Sequence, residues 1–272
     1  KSVMILGGGN VAFDCARSAV RLGAKSVSMA IRKKLETVTG DKEELDQAME
    51  EGVTVYPERT YEEIIGTEHV TGVRFCKISS YTFDEDHKAV IVKEENSDHV
   101  IECDTVIFAV GQRSDFPETE GLERGRGGSI LVKEGSTSSS IPGIFACGNV
   151  LHVHDLVDYV TLESQLAGEG AAQYILGTSP AETVYVNTVP GSSVRYIVPQ
   201  RVNIKNLNNI KLYFRVGRNF RDAKVVLECD GQVISSVKKK RLAPGEMENV
   251  VLPAKVLAAL SQDSVITVRV EE

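Results

Sequence analysis

Ser2-Val3-Met4-Ile5-Leu6-Gly7-Gly8-Gly9-Asn10-Val11-Ala12 opens the chain, and its reading decides the fold. Residues 2–6 form a short apolar run, the pattern of a strand buried on both faces. Three glycines follow as a tight turn. From Asn10 to Leu22 the apolar residues Val11, Cys15, Ala19 and Leu22 recur at helical spacing, and Gly23 suits the position just past a helix end. Residues 27–31 read as a second strand, 41–51 as a polar amphipathic helix closed by Gly52, and 53–56 as a third strand. Strand, glycine turn, helix, strand is the order of a βαβ unit.

The turn has the form Gly7-x-Gly9-x-x-Ala12. The first glycine makes the turn, the second lets a pyrophosphate approach the backbone, and a small third residue lets helix and strand pack closely. Backbone N–H groups at the helix start, around Asn10 and Val11, then face the anion. NAD-binding units place Asp or Glu at the end of the second strand, on the ribose 2′-hydroxyl. Here that strand ends Ile31-Arg32-Lys33-Lys34, with no acid before Glu36. A carboxylate would repel a 2′-phosphate, whereas Arg32 and Lys33 would pair with it. The expected dinucleotide is therefore NADP(H).

Further along, residues 61–103 read as short strands with turns, an antiparallel meander inserted before a last parallel strand at 105–110. A boundary falls at 111–118. Residues 119–150 are glycine-rich, with strands at 129–132 and 143–147, and a helix is expected at about 161–176. After Gly177-Thr178-Ser179-Pro180 alternating strands appear at 195–202, 211–216, 223–229, 232–238 and 264–270, with Asp230-Gly231 as a hairpin turn. The expected fold class is a Rossmann-type α/β domain binding NAD(P) over 1–112, a glycine-rich segment with a helix over 113–180, and an all-β sandwich-like domain over 185–272.

Composition excludes several classes. The 272 residues are 42% hydrophobic and 25% charged, ordinary for a globular protein. A net charge of −7 disfavours general attraction to nucleic acid or anionic membranes. No apolar run approaches the roughly 20 residues of a membrane span. Cys15, Cys76, Cys103, Cys147 and Cys229 are scattered and never spaced as CxxC, which argues against a disulfide framework or a cysteine zinc site and fits a cytoplasmic location. His152, His154 and Asp155 cluster after Asn149. His-x-His-Asp can converge on an ion, but no further carboxylate or cysteine cluster supports one, and no metal is expected. Lys238-Lys239-Lys240-Arg241 reads as a solvated strand edge, with a docking patch for an acidic partner as the sharper alternative.

Three stretches in order resemble one family. Gly7-Gly8-Gly9-Asn10-Val11-Ala12-Phe13-Asp14-Cys15-Ala16-Arg17 with Ile31-Arg32-Lys33 is similar to the NADPH domain of two-dinucleotide-domain flavoproteins, the pyridine nucleotide–disulfide oxidoreductase superfamily. Within it the glutamate synthase small subunit and low-molecular-weight thioredoxin reductase look most alike. Val106 to Gln112 resembles the strand that returns to the FAD domain. Ser140 to Val150 resembles the second FAD motif, and Ala167 to Ala172 the helix after it, which implies that 113–180 is part of an FAD-binding domain and that the loop carrying His152, His154 and Asp155 borders the flavin. The likeness covers about 1–176 and leaves the last ninety or so residues without a counterpart. Where the family's FAD motif usually ends in Asp, this chain has Asn149. The family's first FAD glycine motif precedes its NAD(P) domain, and Lys1 leads straight into the first strand. The chain is therefore expected to be a fragment that lacks the N-terminal FAD-binding segment and purifies without stoichiometric FAD.

The resemblance implies an FAD-dependent NAD(P)H oxidoreductase that passes hydride from NADPH to FAD and on to an unidentified acceptor. It implies NADP(H) at Gly7, Gly9, Asn10, Val11, Ala12, Arg32 and Lys33. Gly111, Gln112, Gly148, Asn149, Thr161 and Leu162 are the further cofactor-binding positions, the last two as backbone donors at a helix start facing the flavin. No catalytic side chain is named. A protein electron-transfer partner or a homo-oligomer is expected, the β domain serving as docking module or cap. Two other readings stay open: a thioredoxin-reductase-like disulfide reductase whose CxxC lies outside this sequence, and a non-catalytic NADPH-binding electron-transfer scaffold.

Overall fold

A computed structural model describes residues 1–83, 89–112, 114–125, 128–135, 137–179, 183–206 and 208–272. Arg113 in the boundary stretch and Pro180 in the expected linker lie outside the described residues. The chain divides into two compact units, Lys1–Gln112 and Arg113–Glu272.

The first unit runs β1 (Ser2–Leu6), α1 (Asn10–Arg21), β2 (Ser26–Ala30), α2 (Lys42–Glu50), β3 (Thr54–Tyr56), β4 (Arg59–Gly66), β5 (Val70–Phe83), β6 (Ala89–Lys93), β7 (His99–Glu102) and β8 (Thr105–Phe108). A parallel sheet has the order β3-β2-β1-β8, with Leu6 opposite both Ala30 and Phe108. The pleat sends alternate side chains of β1 to opposite faces. Val3 and Ile5 pack with Ala12, Phe13 and Ala16 of α1, while Met4 and Leu6 pack with Val73 and Phe75 of β5. The strand is apolar throughout because both its faces are covered. The antiparallel layer is β4-β5-β6, with β7 also on β5. Its middle strand is longer than the pattern indicated, 14 residues against five.

Local signals set the helix ends. Asp41 caps α2 by accepting a hydrogen bond from the Glu43 N–H at 2.7 Å. Gly23 and Gly52 follow α1 and α2 at φ 84° and 95°, the left-handed conformation that glycine adopts without strain.

In the second unit a 3-10 turn, Gly148–Val150, precedes α3 (Val157–Leu176). Then come β9 (Tyr185–Pro190), β10 (Val194–Val198), β11 (Arg201–Asn203), β12 (Ile210–Val216), β13 (Phe220–Cys229), β14 (Gln232–Leu242), β15 (Glu248–Leu252), the short α4 (Ala254–Leu257) and β16 (Val265–Glu271). They build a three-stranded sheet β10-β12-β15 and a five-stranded sheet β11-β9-β16-β13-β14. Leu212, Phe214 and Leu252 of one share a buried core with Val225, Leu227, Ile266 and Val268 of the other. The Asp230-Gly231 turn has both residues at positive φ, 51° and 77°, as a tight hairpin requires. The lysine run lies on β14, an edge strand, where Lys239 pairs with Glu248 at 2.7 Å.

Several elements differ from the pattern. Residues 129–132 and 143–147 form only isolated bridges, at Ile130 and Phe145. The run 195–202 divides into β10 and β11 around Pro199, which has no N–H to give a ladder. Segment 113–179 also joins the strands that follow: the Val132 N–H donates to Gln200 at 2.9 Å, the Glu134 N–H to the Arg201 carbonyl at 2.8 Å, and Arg201 pairs with Glu123 at 2.7 Å.

Candidate functional site

The glycine turn lies at the C-terminal end of β1. Gly7 stands at φ 148°, and a Cβ there would meet the Ala109 carbonyl oxygen at 2.2 Å. The position accepts only glycine because the turn runs against the chain that leaves β8. A Cβ on Gly8 would touch Ile31 at 3.0 Å, whereas one on Gly9 would meet nothing within 4 Å. Gly9 therefore faces open space, the side from which a ligand can approach. It is also the N-cap of α1, with no side-chain cap and no acid in the first turn. Among the described residues the first N–H groups of α1 have no side-chain acceptor, the arrangement that suits an anion. Val11 is 66% exposed and Asn10 is exposed, while Ala12 is fully buried under the helix. The Asn10 side chain accepts from the Asp41 N–H at 2.8 Å, which ties the turn to the start of α2.

Arg32 and Lys33 follow β2, the neighbour of β1, so the basic pair and the glycine turn share one end of the sheet. The Gly7 N–H donates to the Ala30 carbonyl at 3.1 Å and holds the two segments together. Arg32 is exposed and makes no side-chain hydrogen bond or ion pair among the described residues. Lys33 is half-buried. Gly111, at φ 94°, and Gln112 follow β8 and are exposed.

The second group of residues lies around the 3-10 turn. Gly148 is buried at φ 75°, and its N–H donates to the Glu163 carboxylate at 2.5 Å. Asn149 is exposed, and its side-chain oxygen accepts from the His154 N–H at 3.1 Å. Thr161 and Leu162 do not stand at a helix start, contrary to expectation. The helix begins four residues earlier, at Val157, so their N–H groups fall within its hydrogen-bond ladder, and the Thr161 hydroxyl donates to the Val157 carbonyl at 3.0 Å. The helix start after Leu156 lacks a side-chain cap, and within its first turn the Tyr159 N–H donates to the Leu156 carbonyl at 3.2 Å. The expected start at about 161 left out Val157 and Val160 because Asp158 and Tyr159 interrupt the apolar spacing.

His152 and His154 point into the protein rather than lining a solvated loop. Their Nε2 atoms lie 3.2 and 2.9 Å from the two oxygens of Glu163, and their rings are 4.4 Å apart. The side chains are 1% and 3% exposed. Burial opposes ionisation of Glu163, but hydrogen bonds from His152, His154 and the Gly148 N–H outweigh it and hold the carboxyl below the usual carboxylate range. Asp155, which the sequence grouped with the histidines, turns instead to Arg215 and to the Met247 N–H at 2.6 Å. Glu163 was missed because it lies nine residues from His154, and only the fold of the loop over α3 brings it back.

The sequence profile of the pyridine nucleotide-disulphide oxidoreductase family matches residues 1–171. The chain belongs to this family. Two glutamate synthase [NADPH] small chains are similar to it. That of Halomonas elongata is 33% identical over 179 residues, covering 64% of this chain and 38% of its own length. That of Escherichia coli K12 is 33% identical over 185 residues, covering 64% and 39%. The NADP(+)-dependent formate dehydrogenase subunit beta of Moorella thermoacetica is 28% identical over 186 residues, covering 68% and 26%. The chain thus spans less than two fifths of the length of these curated relatives. Thioredoxin reductase of T. acidophilum superposes with a TM-score of 0.51 at 20% identity, over 66% of this chain and 53% of that one. At that identity the likeness shows the fold alone: a thioredoxin-reductase-like α/β fold with a parallel sheet and additional β sheets. The strands from Tyr185 onward lie outside the residues that match this pyridine nucleotide-disulphide oxidoreductase profile. Among the described residues no helix is long and apolar enough to cross a membrane.

Proposed function

We propose that this chain is the NADPH-binding part, with some of the FAD-binding part, of a flavoprotein oxidoreductase. Hydride would pass from NADPH to FAD and then to an acceptor. One observation carries the reading: an uncapped helix start behind Gly9, open to solvent, shares its sheet end with Arg32 and Lys33. The pyrophosphate would rest on the N–H groups that open α1, next to Gly7 and Gly9. Ala12, buried against β1, lets the helix come close enough to aim them. Arg32 and Lys33 would hold the 2′-phosphate. On the flavin side the exposed Asn149 amide and the first turn of α3 offer neutral donors, a set that fits a ribityl chain or a pyrimidine edge. When bound, the two cofactors supply the hydride chemistry themselves, so the protein has to position them and needs no acid–base side chain. Segments 1–112, 113–180 and 185–272 would be its NAD(P), partial FAD and β modules. Relatives named as a small chain and a subunit beta favour a protein partner over a lone enzyme.

Calorimetric titration of the chain with NADPH and NADH tests the reading. NADPH is expected to bind more tightly, and Arg32→Ala to weaken NADPH about tenfold or more while leaving NADH unchanged, as loss of a charge-assisted bond implies. Equal affinities, or no effect of the substitution, would refute it.

A further inference from the structure

We propose that His152, His154 and Glu163 form a binding site for one divalent transition-metal ion of the zinc class. Two imidazoles and a carboxylate offer ligand atoms that all lie within 4.8 Å of one another. Zinc sites hold nitrogen and oxygen ligands at about 2.0–2.2 Å, which places tetrahedral neighbours roughly 3.3–3.6 Å apart. The two Nε2–oxygen separations, 3.2 and 2.9 Å, need only a small outward shift to reach that spacing. The imidazoles disfavour calcium and magnesium, which take oxygen ligands.

The setting supports an ion rather than a simple hydrogen-bonded trio. Both Nδ1 atoms are buried without a hydrogen-bond partner. Among the described residues, then, the carboxylate satisfies only the two Nε2 atoms, and the hydrogen-bonded trio leaves one nitrogen of each ring unpaired. A buried carboxylate is stable when paired with a positive charge, and an ion would supply that charge to Glu163, whose side chain is 12% exposed. The elements holding the trio are also braced. Glu163 is fixed by the Gly148 N–H, and His152 packs against Tyr196 and Tyr213 with ring centroids 5.9 and 6.1 Å away. Among the described residues three groups converge, so a fourth coordination position would fall to water or an exogenous ligand. An ion there would clamp the loop 151–156 onto α3 and hold Gly148 and Asn149 in place. The site stands independently of the NADPH reading.

The test uses the full 272-residue chain, stripped with a chelator and titrated with Zn²⁺ by calorimetry and with Co²⁺ by visible absorption. One Zn²⁺ per chain and a four-coordinate Co²⁺ spectrum are expected. His154→Gln and Glu163→Gln should each weaken Zn²⁺ at least about tenfold and remove the Co²⁺ band. His69→Gln, at an exposed turn of the first unit, should change neither. Circular dichroism checks that each variant is folded, and Glu163→Gln keeps an acceptor for Gly148 should the histidine variant unfold. Absence of stoichiometric binding to the parent chain would overturn the proposal and leave the trio as a hydrogen-bonded clamp. So would equal binding by the folded variants.

Discussion

Replacing Arg215 by leucine tests how the loop after the 3-10 turn is held. Arg215 lies on β12, pairs in register with Tyr196 and is only 8% exposed. It donates to the Tyr196 hydroxyl at 3.1 Å, to the Val153 carbonyl at 3.0 Å and to the Pro244 carbonyl at 3.3 Å, and it pairs with Asp155. Leucine would refill most of the space left by the aliphatic stem, so the loss is mainly polar. Hydrogen bonds involving a charged group contribute about 1.5–3 kcal/mol each, and breaking a buried ion pair costs about 3–5 kcal/mol. Two effects reduce the sum: the Asp155 side chain is 35% exposed, so water takes up part of its charge, and the desolvation cost of the guanidinium disappears. We expect R215L to lose about 3 kcal/mol, with about 1–2 kcal/mol of coupling in a double-mutant cycle with D155N. Urea unfolding followed by tyrosine fluorescence reads this directly, because the chain has no tryptophan. Amide exchange over 151–156 should accelerate in the same variant. A change within about 0.5 kcal/mol, as for an ordinary surface substitution, would refute the reasoning.

Two glycine variants separate folding from binding: Gly7→Ala should cost about 3 kcal/mol or more from positive φ and the approach to Ala109, while Gly9→Ala should leave the melting temperature nearly unchanged. Gly9→Ala should nevertheless weaken NADPH about tenfold or more in calorimetry, because its methyl occupies the open approach; unchanged affinity would dismiss that role. Burial pushes the Glu134 carboxyl above its usual value of 4.5, and the bond from Asn206 only partly opposes this. The unfolded chain then ionises first as pH rises, so the parent loses stability relative to Glu134→Gln from about that pH upward, until the raised value is passed. Urea midpoints should favour Glu134→Gln more at pH 7 than at pH 4, and an equal or reversed difference would contradict the burial argument.

The βαβ opening was legible because each step is local: β1 with its uniform apolar run, the glycines of the turn, the spacing of α1 and the Gly52 stop after α2 all act within a few residues. The basic end of β2 could be read the same way, since Arg32 and Lys33 occupy a position defined by the strand itself. Matters differ where a residue's meaning depends on a partner far along the chain. Alternation along β12 marks Leu212, Phe214 and Val216 as core but says nothing of Arg215, whose role comes from the loop sixty residues earlier that settles on it. The sequence placed Asp155 beside the histidines, yet Arg215 draws it away, and Glu163 meets them instead through the crossing of the loop over α3. Residues 129–132 have strand-like composition, but the ladder that would make them a strand shrinks to a bridge and a side-chain bond to Gln200. By itself the sequence determined the βαβ opening, its glycine turn and its basic end, because backbone conformation and periodicity are short-range properties. Only the tertiary structure decided which polar side chains meet inside the second unit, because burial of a charge depends on partners that sequence spacing does not bring together.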